Sequence, residues 1–336
     1  VNLLPAIVTA SLDALPIAKR MRWGAGEAQF VRPVHWVLML WGSDVVETEI
    51  LGQKAGNLTY GHRFMAPKAL KISNPASYVG TLLKRGKVMA EVNARRDSIR
   101  AGVTAVAEKL DGIAVIDNAL LDEVTGLVEW PVPLAGRFDP QFLELPAEVL
   151  IATMQEHQRY FPVRDAQGKL MPWFITVSNI ESRDPSQVIA GNERVVRPRL
   201  TDAAFFYKTD RQHPLETQVD RLKRVTFQTQ LGSQHDKSER VRALAQAIAA
   251  TIGGDPALAD RAAMLSKCDL LTNMVAEFPE LQGLMGRYYA LHDHEPAEVA
   301  EALREQYLPR FAGDALPATR TGMALSIADK LDTIAG

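Results

Sequence analysis

The sequence changes character near residue 215, and that break limits what the chain can fold into. Before it, short apolar runs alternate with Gly and Pro punctuation and short helical patterns. After it, almost every stretch repeats its apolar residues at helical spacing. A single uniform architecture cannot satisfy both halves. The pattern predicts an α+β region over 1–214 and an all-α helical domain over 215–336, and a length of 336 residues suits two domains.

In the first region, 35–40 is rich in strand formers and 45–51 alternates after the turn residues Gly42, Ser43 and Asp44, so the two are expected to pair as a hairpin. Further strands are expected at 70–72, 88–90 and 132–138, and helices at 75–85, 91–110 and 146–157. The runs 159–163 and 173–178 flank a hairpin turn at Asp165–Gly168. In the second region, helices are expected over 237–252, 257–278, 297–308 and 319–334. Asp236 followed by Glu239 fits a start signal for the first, and Gly253 its stop. No internal repeat or low-complexity segment is present.

Composition removes several classes. Apolar residues make up 47%, enough for sizeable cores, so a disordered chain is excluded. One cysteine, Cys268, excludes a disulfide framework and a cysteine-rich zinc module. No apolar run reaches 18 residues, so no membrane span is expected. A Val1 start, no signal-peptide pattern and an end just past a helical run suggest a piece of a larger cytoplasmic protein. Gly24 and Gly26 are the nearest approach to a dinucleotide fingerprint, but position 29 is glutamine, and no P-loop or nucleophile elbow occurs.

Two groups could hold a metal. His213, His235, Asp236 and Asp329 follow the order of HD phosphohydrolase ligands, which hold metals that activate water against a phosphoester. His292 and His294 flank Asp293 in a loop. Each has a plainer reading: Asp236 sits where a helix cap belongs, and the second group reads as a solvated loop. Asp269 and Asp329 lie in apolar helical stretches, with Lys267 and Lys330 as candidate partners.

The net charge is −2, so any nucleic-acid footprint must be local. Basic groups do cluster: Arg20 and Arg22 beside Trp23, Arg63 beside Phe64, then Arg194, Arg197 and Arg199, then Arg221, Lys223 and Arg224. Arginine next to aromatic rings suits phosphate contact with base stacking. Pro198, between Arg197 and Arg199, is expected to end a helical segment.

Longer strings carry a resemblance. The runs at 12–24, 30–36, 61–64, 129–134, 154–162, 191–195, 199–203 and 205–206 resemble the beta subunit of the bacterial heterotetrameric glycyl-tRNA synthetase. So do 266–272, 277–283 and 328–333, so the likeness spans the chain. It implies a non-catalytic region of glycine–tRNA ligase that supports tRNA-Gly binding and assembly with the alpha subunit in an α2β2 heterotetramer. ATP and magnesium would belong to the alpha subunit, with no cofactor or metal here. It also implies that the first region resembles the editing module of the phenylalanyl-tRNA synthetase beta subunit and that the second is HD-like. Lys267, Asp269 and Asp329 would be degenerate HD-site positions, with lysine where a ligand imidazole would stand; a fixed positive charge opposes a cation there. The nine basic residues named above become candidate tRNA contacts. The competing expectations are a metal-dependent HD phosphohydrolase and a hydrolytic editing module.

Overall fold

The computed structural model describes residues Val1–Gly336. The N-terminal part is mixed α/β with small sheets, and the C-terminal part is helical. Packing separates two compact units: 1–138 with 159–194, and 139–158 with 195–336. These limits differ from the change of sequence character near 215. The helix at 147–158 buries Val149, Leu150 and Met154 and belongs to the second unit. Such a non-local return leaves no mark on local composition.

The first unit opens with α1 (Leu4–Asp13) and a set of two- to four-residue strands. Leu40 pairs with Val45 and Trp41 with Asp44, so the turn at Gly42 and Ser43 forms as expected. Three other short strands matter below: β1 (Gln53–Gly56), β2 (Leu58–Tyr60) and β3 (Ala69–Lys71), the last two an antiparallel hairpin. The 75–85 helix is broken. A 3-10 turn, Pro75–Ser77, is capped by the Asn74 side chain, a four-residue α segment follows, and a π turn, Leu82–Gly86, stops at Lys87 with φ 53°. The strand expected at 88–90 does not form; Met89 N–H donates to Glu129 O at 2.9 Å and no ladder follows.

The unit's main core lies against a four-stranded antiparallel sheet. α2 (Val92–Glu108) presents Ile99, Val103 and Ala107 at four-residue spacing, and α3 (Asn118–Leu127) adds Leu120, Leu121 and Val124. They cover Phe161, Val163 and Ile175 of a sheet ordered β4 (Ile113–Ala114), β6 (Phe161–Arg164), β7 (Leu170–Ser178), β5 (Val132–Arg137). The β6–β7 turn closes as its sequence requires: Asp165 Oδ1 accepts from Gln167 and Lys169 N–H, and Gly168 takes φ 81°.

The second unit contains α4 (Ala147–Gln158) and the later helices. The long helix α5 (Pro185–Asp210) crosses the limit between units and runs through Pro198, so Pro198 does not end a helical segment. The proline deprives the Arg194 carbonyl of its donor. Burial of Val196, Leu200 and Ala203 along one face outweighs that loss. In α6 (Gln234–Ile252) the start signal lies one turn earlier than Asp236. Ser233 is the cap, Asp236 is its reciprocal partner in a capping box, and Gly253 ends the helix at φ 72°. The 257–278 helix is also broken, into α7 (Pro256–Leu265), a 3-10 turn Cys268–Leu271 and the short helix Asn273–Glu277. α8 (Leu284–His292), α9 (Ala297–Glu305) and α10 (Arg320–Ala335) complete the unit. No helix is long and apolar enough to cross a membrane.

Candidate nucleic-acid interface and a buried charge cluster

The three positions expected to mark a degenerate site, Lys267, Asp269 and Asp329, divide. Lys267 precedes the 3-10 turn and Asp329 lies on α10, and the fold brings their side chains together with Nζ to Oδ1 at 3.2 Å. Lys237, from the first turn of α6, lies 3.4 Å from the same oxygen and 3.3 Å from Asp332 Oδ2. Both ammonium groups are nearly solvent-free, with side chains 7% and 4% exposed. Further donors and acceptors complete them: Lys267 donates to Gln306 Oε1 at 2.7 Å and Lys237 to Thr333 Oγ1 at 2.7 Å. Arg240 closes the group by donating to both oxygens of Asp332, at 2.6 and 3.1 Å. Burial works against the Asp332 carboxylate, but the hydrogen bonds from Arg240 and Lys237 outweigh it and hold its pKa below the usual range. Burial pulls the Lys267 pKa down, opposed by the Asp329 charge. Lys330 does not pair with Asp329; it donates to the Gln306 and Leu308 carbonyls and to Ser326 Oγ.

Asp269 stands apart from this pairing. Its Oδ2 accepts the N–H groups of Gly283 and Gly286, at the start of α8, while Oδ1 has no partner. Burial pushes its pKa up to about 6, against those backbone donors. Beside it, Cys268 is fully buried, and the low-dielectric surroundings push its thiol up to about 12.

The two possible metal groups are otherwise employed. Asp236 is consumed by the capping box with Ser233. In the loop, Asp293 Oδ2 accepts Leu215 N–H at 2.6 Å, His292 Nδ1 meets Arg211 at 2.9 Å, and Glu295 pairs with Arg261. No three His, Cys, Asp or Glu side chains converge as a ligand set.

The nine basic candidates also divide. Four are committed internally. Arg20 holds the end of α1 through Asp13 O at 3.0 Å, and Arg22 meets both oxygens of Glu27 at 3.2 Å. Arg221 donates to Gln218 at 2.7 Å, and Lys223 pairs with Asp220 at 2.6 Å. The other five, Arg63, Arg194, Arg197, Arg199 and Arg224, are exposed and make no side-chain hydrogen bond or ion pair. Within the second unit, Arg197, Thr201, Phe205 and Lys208 recur at three- and four-residue spacing, so they share the α5 face opposite Val196, Leu200 and Ala203. Phe205 is 63% exposed. An unpaired guanidinium, an ammonium and an exposed ring on one helix face can contact phosphate and stack on a base.

One basic region escapes a search for short motifs. Residues 51–90 contain seven Lys or Arg and no Asp or Glu. The residues are scattered, so no short basic run marks them; a charge count over a 40-residue window would have.

Comparison with known proteins places the chain among subunits of aminoacyl-tRNA synthetases. The family described as Glycyl-tRNA synthetase beta subunit matches residues 1–336, and the chain belongs to it. The glycine–tRNA ligase beta subunit of Marinobacter nauticus is 59% identical over 337 residues, covering 100% of this chain and 49% of that relative. The corresponding subunit of Hahella chejuensis is 59% identical over 335 residues, covering 100% and 48%. That of Pseudomonas savastanoi pv. phaseolicola is 57% identical over 335 residues, covering 100% and 49%. The chain thus spans about half the length of the curated relatives it matches.

Proposed function

We propose that this chain works within a glycine–tRNA ligase, as the part of the beta subunit that contacts tRNA-Gly and supports assembly with the alpha subunit. Aminoacylation, with its ATP and magnesium, belongs in this reading to the alpha partner of a cytoplasmic α2β2 enzyme. The observation that carries the reading is the family match over 1–336, joined to the free Arg197, Lys208 and open Phe205 on one exposed helix face. The buried charges of the helical unit support a scaffold. Two ammonium groups occupy the Asp329 carboxylate that a phosphohydrolase would need for a cation. In the same reading the region 1–214 is an editing-type module and 215–336 an HD-like one that retains no hydrolase chemistry.

The test is a tRNA-Gly titration across a salt series with the assembled enzyme. R197E with K208E should weaken binding severalfold. It should also lower the slope of log affinity against log salt by about 1.5, at roughly 0.7–0.9 for each phosphate no longer neutralised. Unchanged affinity and slope would remove these residues from the interface.

A further inference from the structure

We infer that the acid-free segment 51–90 builds a second RNA-contact surface, one that receives an unstacked nucleotide and its flanking phosphates; this rests on the tRNA-binding reading above. Among its seven cations, Lys87 alone has a carboxylate partner, Glu181 at 3.6 Å, and it also lies over the Trp130 ring. The other six are exposed and make no ion pair or side-chain hydrogen bond. In a chain of net charge −2, six free cations with no acid among them form a strong local field.

The fold concentrates part of that field. β2 and β3 pair with Thr59 and Leu70 buried, which leaves Leu58, Tyr60 and Lys71 on the open face. The connecting turn is tied down at its backbone. His62 is buried, donates its backbone N–H to Gly86 O at 2.7 Å, and accepts from Phe64 and Met65 N–H at Nδ1, at 3.3 and 3.2 Å. A Cβ on Gly61 would run into the Gly86 carbonyl, so only glycine permits this approach. The turn that displays Arg63 and Phe64 is therefore pressed against the turn that carries Lys84 and Arg85. Phe64 is 73% exposed, with no apolar reason for being so. Trp36 packs on Tyr60 of β2, ring centroids 4.8 Å apart, and each ring stays about 40% exposed.

An open ring on a tethered turn, beside a guanidinium, is a stacking platform, and free Lys and Arg on both adjoining turns supply phosphate contacts. A protein partner is the weaker fit, because interface cores are depleted in lysine.

The experiment uses the full-length subunit assembled with its alpha partner and tRNA-Gly, over a salt series. K84A with R85A should weaken binding about tenfold and lower the log–log salt slope by about 1.5. F64A should weaken binding about tenfold with the slope unchanged, as loss of one stacked base does. All these side chains are exposed, so melting temperatures should match the parent. If the parent binds and every variant binds as the parent does, the surface assignment falls. Intact RNA affinity with loss of alpha-subunit association would also overturn it, in favour of a protein interface. A parent that binds no tRNA would instead overturn the proposed function.

Discussion

Replacing Asp329 with alanine should lower the stability of the helical unit by about 3–5 kcal/mol, read as a fall in its denaturant midpoint. The carboxylate stands between two buried ammonium groups, at 3.2 and 3.4 Å. Lys237 would keep Asp332 at 3.3 Å and Thr333, so its loss is partial. Lys267 would keep the neutral Gln306 oxygen, the face of Tyr307 and the more distant Asp269 charge, and an ammonium without a directly paired counter-charge in that position is costly. A double variant separates this cause from simple loss of packing. K267M with D329L replaces the pair by apolar groups of similar volume and should recover most of the stability. A D329A loss below about 1 kcal/mol, or no recovery in the double variant, would show that the pair does not hold these helices together.

The second large effect is a pH dependence at Asp269. A carboxylate whose folded pKa lies near 6, against an unfolded value near 3.9, binds more protons in the folded protein between those values. Stability therefore falls as pH rises through that window, by about 3 kcal/mol in total. Asp332, held low by Arg240 and Lys237, has the opposite sign and loses stability as pH falls. The comparison that isolates Asp269 is the parent minus D269N, since the amide keeps an acceptor for the Gly283 and Gly286 N–H groups. Between pH 4 and 6 that difference should drift against the parent, and it should be flat above pH 7. A difference that stays level from pH 4 to 8 would place the Asp269 pKa in the ordinary range.

Features set by local rules were legible in the sequence. The turn at Asp165–Gly168, the stop at Gly253 and the core stripe of α2 each follow from a few adjacent side chains. That an aspartate in an apolar stretch demands a partner was also legible, but not which one: Asp329 meets Lys267 and Lys237 from distant segments, while its sequence neighbour Lys330 turns to backbone carbonyls. What failed depends on distant packing. Pro198 reads as a breaker, yet burial of Val196 and Leu200 carries α5 through it. Asp236 reads as a cap because Ser233, three residues earlier, closes the weakly patterned strand pair at 226–233. Strands of two to four residues give no usable period, so most of the first unit's small sheets left no trace. The basic surface of 51–90 was hidden differently: acidic residues elsewhere cancel it in any whole-chain sum.

The lone thiol turns the helical unit into its own stopwatch. Cys268 is fully enclosed and its proton is held to about pH 12, so an alkylating reagent meets no nucleophile until the surrounding helices part. Because the chain has one cysteine, the modification rate reports one opening event without any engineered label. The thiol lies next to Asp269 in sequence and shares the 3-10 turn that follows Lys267. Its labelling half-life therefore gives the D329A and D269N comparisons a second clock, tied to the opening of this turn.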